Sequence, residues 1–239
     1  MSSIRVGLSA GRYKPLTEEE VERIHETSMS VFEDIGLEVN NKAARHLFQQ
    51  AGARVDGDRV TFSREMVMEL IGKAPSRVNL CGRDSRHDLA LESKRVHLGT
   101  GGTALNILDI HTAEKRPATV RDMADLARLC DALDHVHFFM LPVYPHGIPQ
   151  DEADVNRFIP ALLNTTKHVM GGVYSIEGIR KVVEIAELMA GSPEALRERP
   201  FISMVTCVIS PLKLDHHYGD LLMEAARLGI PLVTPTEPL

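Results

Sequence analysis

A strand–helix–strand unit recurs in the second half of the chain, and this repetition constrains the fold more than any other feature. Residues 200–208 are apolar, which predicts a buried strand. A helix is predicted over residues 211–228, and the next strand over residues 229–239. A buried parallel strand needs neighbours on both sides and helices on its faces. Since nothing follows residue 239, the sequence predicts an α/β barrel that is cut in its middle.

The same alternation extends back to residue 119, where a threonine begins a predicted helix. The predicted helices and strands of this stretch alternate, in the order helix 119–133, strand 135–141, helix 151–163, strand 167–173 and helix 176–190. Strands that alternate with helices of this length indicate βαβ units and a parallel sheet. An open doubly wound sheet of four or five strands fits this pattern as well as a barrel does.

The first 95 residues predict a different kind of structure, with helices and a small hairpin. Thr17 and Glu20 have the spacing of a capping box, and Gly36 supplies a helix stop. Asp56 and Gly57 favour a tight hairpin turn, and Ser63 predicts the start of a further helix. We therefore expect a helical and β-hairpin extension over residues 1–95 and the first part of a barrel over 96–239. A complete eight-stranded barrel takes about 250 residues by itself.

The charge and the cysteine content exclude several functional classes. A net charge of −6 argues against a nucleic-acid-binding surface, which requires a basic face. No apolar run approaches the roughly 20 residues that span a bilayer, and the first residues lack the apolar core of a signal peptide. The three widely spaced cysteines suggest neither a disulfide framework nor a metal motif. A cytoplasmic protein without a metal site is predicted.

The carboxyl ends of the predicted strands are the expected place for a ligand, because chemistry in parallel barrels occurs there. Tyr144, Tyr174 and Glu237 follow three of these strands. Aromatic faces with a carboxylate bind cations that carry several methyl groups. These three residues are therefore predicted to line a substrate site for such a cation.

Three further residues complete the predicted substrate site. Thr100 lies in the glycine-rich segment 99–102, which follows a predicted strand and could cradle an anion through its backbone N–H groups. Thr206 lies at the carboxyl end of the strand predicted over residues 200–208, and His168 lies close to a strand end, where it is a candidate for proton handling. The pattern contains no convincing catalytic triad, and we assign no catalytic residue from the sequence.

A series of short segments along residues 14–239 resembles the trimethylamine:corrinoid methyltransferase superfamily. The segments keep the same order as in that superfamily: Leu16-Thr-Glu-Glu-Glu, Ile24-His-Glu, Ala51-Gly-Ala, Gly57-Asp-Arg-Val, Lys73-Ala-Pro-Ser-Arg, Gly82-Arg-Asp, Asp122-Met-Ala-Asp-Leu-Ala-Arg-Leu-Cys-Asp, Asn164-Thr-Thr-Lys-His, Ser203-Met, Ser210-Pro-Leu and Gly229-Ile-Pro. Each segment alone is weak, but the ordered set is specific.

The resemblance implies a TIM barrel preceded by a helical N-terminal extension. It also implies transfer of a methyl group from a tertiary or quaternary amine, such as trimethylamine or glycine betaine, to the Co(I) of a corrinoid. The corrinoid is supplied by a separate corrinoid protein, so no tightly bound cofactor is expected, and a homo-oligomer is compatible with this interpretation. Some members carry pyrrolysine in a part that this chain does not contain, so the branch is not assigned.

Two alternatives of other classes stay open at this point. The chain is also consistent with a non-catalytic half-barrel remnant, or a binding module, that needs a second chain. The exposed edge of the last predicted strand favours this alternative. A third interpretation is an unrelated TIM-barrel enzyme that uses residues 99–102 to hold a phosphorylated substrate.

Overall fold

A computed structural model of the chain describes residues 7–11 and 13–235, which divide into two compact units. The first unit comprises the described residues of Met1–Ser9 together with Arg77–Thr206 and Glu224–Val233. The second comprises the described residues of Ala10–Ser76, Cys207–Met223 and Thr234–Leu239. The chain thus contributes several separate segments to each unit. The predicted division after residue 95 into an extension and a barrel stays a prediction.

The described chain contains short strands and longer helices. The strands are β1 (Leu8–Ser9), β2 (Leu37–Val39), β3 (Arg54–Asp56), β4 (Arg59–Thr61), β5 (Arg77–Leu80), β6 (Leu89–Glu92), β7 (Arg95–Val96), β8 (Asn106–Leu108), β9 (Lys115–Pro117), β10 (Phe139–Met140), β11 (Val169–Gly172), β12 (Ile202–Val205), β13 (Lys213–Leu214) and β14 (Leu232–Val233). The helices are α1 (Glu18–Ser30), α2 (Lys42–Gln50), α3 (Arg64–Gly72), α4 (Val120–Ala132), α5 (Ala153–Asn164), α6 (Ile176–Ala190), α7 (Pro193–Glu198) and α8 (His216–Leu228). None of these described helices is long and apolar enough to cross a membrane.

The first unit is built on a parallel sheet whose strands are neighbours in the order β10, β11, β12 and β14. Helix α5 lies between β10 and β11 in the chain, and α6 lies between β11 and β12. Parallel bridges from Gly99 to Phe138 and from Ala104 to Val143 extend the sheet beyond β10. The predicted α/β class, with a parallel sheet and helices, is confirmed.

The two faces of this sheet pack against different partners. A Cβ atom added at Gly171 would lie 3.2 Å from Cζ of Phe158, so this face packs closely against α5. The opposite face carries Met170, which packs against Leu80 and Leu89 of the β5–β6 hairpin. Because side chains alternate along a strand, the register assigns every strand residue to the helix side or to the hairpin side.

Local sequence signals account for the helix ends of the first unit. Ser175 accepts a hydrogen bond from the N–H of Gly178 at the start of α6, and Gly191 ends that helix with a φ of 96°. Thr119 and Asp122 form a capping box at the start of α4. The predicted helix over residues 176–190 agrees with α6 because Ser175 and Gly191 bound it.

The second unit contains a small sheet in the order β13, β2, β4 and β3. Its core includes Val39, Val60 and Leu214, all of them buried. Gly36 leads into β2 with a φ of 65°, and a Cβ atom there would lie 2.0 Å from the carbonyl oxygen of Val60. The sequence therefore needs glycine at this turn.

Two predicted elements have different bounds in the structure. The helix predicted over residues 211–228 begins only at His216, because Lys213 and Leu214 form β13 and pair with β2 in parallel. An ion pair of 2.9 Å between Lys213 Nζ and a carboxylate oxygen of Glu38 accompanies this pairing. The strand predicted over residues 229–239 is described only as Leu232–Val233, and residues 236–239 lie outside the described part.

Candidate functional site

The carboxyl ends of the parallel strands in the first unit define one edge of the sheet. Residues 141–144 follow β10, residues 173–175 follow β11, and Thr206 follows β12. The pairing of Gly172 with Val205 aligns the ends of β11 and β12. Ligands of parallel α/β sheets bind outside this edge. It is therefore the candidate functional site.

Tyr144 and Tyr174 meet at this edge, as the strand-end argument predicted. Their ring centroids are 5.7 Å apart, and the ring planes are inclined by 78°. The N–H of Tyr144 donates to the carbonyl oxygen of Ala104 at 2.8 Å, which fixes the backbone after β10. Tyr174 is 40% exposed, so its ring is accessible from solvent. The structure brings this predicted pair together, while its contact with a substrate stays a prediction.

A buried arginine that was not predicted lies beside both rings. Cζ of Arg157 lies 5.1 Å from the ring centroid of Tyr174 and 5.9 Å from that of Tyr144. Nη1 donates to the carbonyl oxygen of Gly172 at 2.8 Å, and Nη2 donates to Oγ1 of Thr103 at 3.4 Å. Only 1% of Arg157 is exposed. A cation of the chain itself thus lies against both rings.

The buried carboxylate closest to Arg157 in sequence is engaged elsewhere. The oxygens of Asp154 accept from the N–H groups of Tyr174, at 2.9 and 3.0 Å, and of Ser175, at 3.1 Å. They lie at the N-terminus of α6, where an added Cβ atom at Gly178 would be 2.0 Å from Oδ2. A carboxylate is favoured there by the helix dipole. Asp154 therefore holds the start of α6.

Burial dominates the electrostatics of both groups. It lowers the pKa of the Arg157 guanidinium, an effect that Tyr174, Asp154 and Tyr144 partly oppose. It raises the pKa of the Asp154 carboxyl, which its hydrogen bonds and the charge of Arg157 partly offset. Within the described chain, no carboxylate oxygen lies within 4.0 Å of the guanidinium nitrogens of Arg157, and its Nε has no hydrogen-bond acceptor. The guanidinium is therefore under-coordinated.

The glycine-rich segment approaches this edge closely. Oγ1 of Thr100 donates to the carbonyl oxygen of Met140 at 2.5 Å. A Cβ atom added at Gly102 would lie 2.6 Å from the carbonyl oxygen of Leu141, so the segment packs directly on the backbone after β10. The glycine here serves close backbone packing. A role for Thr100 in substrate binding stays a prediction.

Thr206 lies at the same edge, on the helix side of the sheet. It follows Met204 by two residues, and Met204 pairs with Gly171 of the helix-side face. Its N–H donates to the carbonyl oxygen of Val233 at 3.0 Å, and only 3% of the residue is exposed. Its Oγ1 has no hydrogen-bond partner among the described residues. The predicted substrate contact of Thr206 stays a prediction.

His168 is located at the opposite edge of the sheet, because it precedes the first residue of β11. It is fully buried, and its ring nitrogens contact the carbonyl oxygen of Cys81 and Oγ of Ser203, both at 2.9 Å. Burial lowers the pKa of His168 to about 4. The neutral ring is thus committed to internal hydrogen bonds, and this geometry gives its predicted substrate contact no support.

Glu237, the predicted carboxylate, lies outside the described residues. Among the residues that are described, no group of three or more His, Cys, Asp or Glu side chains is placed to hold a metal ion.

Arg157 was missed because it lies in the interior of a helix rather than at a strand end. Its buried neighbours on α5 include Asp154, Phe158 and Ala161. Asp154 and Ala161 lie three and four residues from Arg157, and Phe158 lies four residues from Asp154 and three from Ala161, a spacing that marks one helix face. An arginine on that face, in a helix that follows a strand, was the sequence signal for a buried cation.

The chain matches the trimethylamine methyltransferase (MTTB) family over residues 4–236, and it belongs to this family. It is 36% identical over 218 residues to trimethylamine methyltransferase MttB of Desulfitobacterium hafniense, which covers 90% of this chain and 44% of that protein. It is 30% identical over 227 residues to trimethylamine methyltransferase MttB of Methanosarcina thermophila, covering 90% of this chain and 46% of the relative.

A relative that is named for another substrate shows a similar match. The chain is 27% identical over 219 residues to glycine betaine methyltransferase of Desulfitobacterium hafniense, covering 91% of this chain and 46% of that protein. In each of these comparisons the chain spans less than half the length of the relative. The resemblance predicted from the ordered segments is confirmed at the level of the family.

Proposed function

We propose that the chain forms part of an enzyme that moves a methyl group from a tertiary or quaternary amine to the Co(I) of a corrinoid on a separate protein. The match to the trimethylamine methyltransferase family over residues 4–236 carries this proposal. The relatives include proteins named as trimethylamine methyltransferases and as a glycine betaine methyltransferase. Methylated nitrogen is the feature that these two substrates share.

We also propose that the parallel sheet is the first part of a TIM barrel. Its strands are neighbours in the same order as in the chain, from the segment at Gly99 through β10, β11, β12 and β14. A barrel has this sequential order, whereas a doubly wound sheet reverses its order at a switch point. The sheet order thus supports the barrel over the open sheet.

Breaking the C–N bond of the methyl donor determines how the protein must hold that donor. The methyl carbon is attacked by the Co(I) centre, and the electron pair of the broken C–N bond stays on nitrogen. A quaternary nitrogen leaves as a neutral amine, and a tertiary amine does so only when it is protonated. The protein must hold the cation with one methyl group toward the acceptor and exclude water.

The residues of the carboxyl edge are proposed to meet this demand. The rings of Tyr144 and Tyr174 supply rigid aromatic surface at the site, and Thr206 adds a buried hydroxyl with no partner in the described chain. Thr100 holds the glycine-rich segment against β10 through its bond to Met140. Glu237 is the proposed carboxylate for the ammonium group.

The remaining components of the reaction are proposed to come from outside the chain. The corrinoid is the methyl acceptor, and a separate corrinoid protein carries it, so no tightly bound cofactor is proposed here. The described cysteines form no disulfide, in keeping with a reducing cytoplasm. A homo-oligomer is compatible with this scheme.

A methyl-transfer assay tests the proposed function. The purified protein that carries this chain is mixed with a Co(I) corrinoid protein and with trimethylamine, choline or glycine betaine. Formation of the demethylated amine is followed by proton NMR spectroscopy, with protein lacking the donor as the control. Demethylation of at least one donor supports the proposal. Failure with all three, while the same corrinoid protein accepts methyl groups from a known enzyme, would overturn it.

A further inference from the structure

The guanidinium of Arg157 is the most unusual electrostatic feature of the described chain. It is almost fully buried, and its one described counter-charge, Asp154, acts on it without a hydrogen bond or an ion pair within 4.0 Å. Moving an unpaired charge out of water costs several kcal/mol. A fold that keeps such a charge at a ligand-binding edge has a demand for an anion that the described residues do not meet.

The unused hydrogen-bond donors of Arg157 also indicate an anionic ligand. A guanidinium has five N–H donors, and the described chain offers acceptors to two of them, at Gly172 and Thr103. The contact to Thr103 is long, at 3.4 Å, and Nε has no acceptor among the described residues. Nε and one Nη form the side of the fork that binds a carboxylate with two parallel hydrogen bonds.

We propose that Arg157 binds the carboxylate of the substrate, so that the preferred methyl donor is a zwitterion with a carboxylate close to its methylated nitrogen. This inference rests on the proposed function, because it names the substrate class of the same site. Glycine betaine is the simplest compound of this class. Trimethylamine and choline lack the carboxylate, and choline keeps the same trimethylammonium group.

The surroundings of Arg157 fit an anchor of this kind. The rings of Tyr144 and Tyr174 flank the guanidinium and restrict its rotation, which lowers the entropy lost when a ligand binds. Gly172 is the last residue of β11, so its bond to Nη1 fixes the charge at the carboxyl edge of the sheet. With the carboxylate on Arg157, the ammonium group is separated from the guanidinium by the negative charge, which removes the repulsion between the two cations.

A purely structural role for Arg157 predicts different behaviour. A structural clamp between the two tyrosines would need no ligand, and its removal would lower stability without changing the preference among amines. An anchor for a carboxylate makes the preference itself depend on Arg157. Ligand discrimination therefore separates the two roles.

The test is a binding titration of the 239-residue chain with glycine betaine and with choline, followed by tyrosine fluorescence at low ionic strength. The chain has no tryptophan and four tyrosines, two of which flank Arg157. We expect glycine betaine to bind at least about tenfold more tightly than choline, the effect of one charge-assisted pair. In Arg157→Gln, glycine betaine should bind no more tightly than choline does.

Two further variants make the result specific. Arg121→Gln removes the same charge from a side chain that is 88% exposed, and it should leave the preference unchanged. Arg157→Lys keeps the charge but not the fork, and it should weaken glycine betaine binding about tenfold. Circular dichroism checks folding, and Arg157→Lys carries the test if Arg157→Gln does not fold.

Three outcomes would overturn the inference. They are equal binding of glycine betaine and choline to the wild-type chain, binding of neither ligand, and wild-type discrimination in the folded Arg157 variants. Demethylation of trimethylamine or choline in the methyl-transfer assay would still support the proposed function in each case. Failure of the carboxylate anchor is thus distinguishable from failure of the proposed function.

Discussion

Two arginines at opposite edges of the same parallel sheet have opposite electrostatic environments. Arg199, just before β12, forms two hydrogen bonds of 2.9 Å with the carboxylate of Asp88, although its own side chain is 47% exposed. Arg157, at the carboxyl edge, is buried and has no carboxylate partner in the described chain. The half-exposed arginine is paired with a carboxylate at hydrogen-bond distance, and the almost fully buried arginine is not.

This difference separates stability from function. At the amino edge, Asp88 also accepts from the N–H of Gly82, so one carboxylate connects the β5–β6 hairpin to the segment before β12. At the carboxyl edge, Arg157 and Thr206 both keep polar atoms without partners among the described residues. In parallel α/β folds the amino edge serves stability, and the carboxyl edge serves ligand binding. Three predictions test this division.

The largest effect is expected from the pH dependence of His168 at the amino edge. Its pKa in the folded state is about 4, below the ordinary value of 6.5, so the unfolded chain binds a proton first as the pH falls. The stabilisation is fully present above about pH 6.5 and decreases toward pH 4, by about 3 kcal/mol over this window. Urea unfolding of wild type and His168→Gln at several pH values measures it. The variant should lack this slope, and parallel curves would show that His168 is not buried in its neutral form.

The second prediction concerns the ion pair at the amino edge. Asp88→Asn keeps an acceptor for the N–H of Gly82 but removes the charge that faces Arg199. We expect the free energy of unfolding to fall by about 2 kcal/mol, less than for a fully buried pair because Arg199 is half-exposed. Urea unfolding at neutral pH checks this value, with Asp125→Asn on the exposed surface of α4 as the control. A loss no larger than that of the control would remove the contrast between the two edges.

The smallest effect is expected from two hydroxyl groups, one at each edge. Thr206→Val removes a buried hydroxyl that has no partner among the described residues, and it should raise the free energy of unfolding by about 1 kcal/mol. Ser203→Ala removes the hydroxyl that contacts Nε2 of His168, and it should lower stability by about 1 kcal/mol. Opposite signs in urea unfolding would sharpen the comparison. Equal losses would mean that the hydroxyl of Thr206 is satisfied in solution.

Local signals in the sequence were sufficient for most of the helices. The capping residues Thr17, Ser63 and Thr119 each begin a helix as their patterns predict. The strand β13 was missed because its partner β2 lies far away in the chain, and no local pattern records that pairing. Strand ends could be located from the sequence only to within a few residues, as the short β10 shows.

The candidate site was predictable only where it depends on strand order. Tyr144 and Tyr174 both follow strands, so their proximity follows from a parallel sheet. The helix α5 brings Arg157 to the same place, and its partners are a backbone carbonyl and a threonine that no motif identifies. His168 is the second residue of the predicted strand 167–173, so the direction of the chain already assigns it to the amino edge, away from the expected site.

The most direct test of this account is the unfolding free energy of Arg157→Met with and without glycine betaine. Without the ligand, the variant should differ from wild type by less than about 1 kcal/mol, because relief of an unpaired buried charge offsets the lost contacts. With the ligand, wild type should become more stable and the variant should not. A loss of about 3 kcal/mol or more without ligand, and no response of the wild type to it, would show that Arg157 is part of the scaffold.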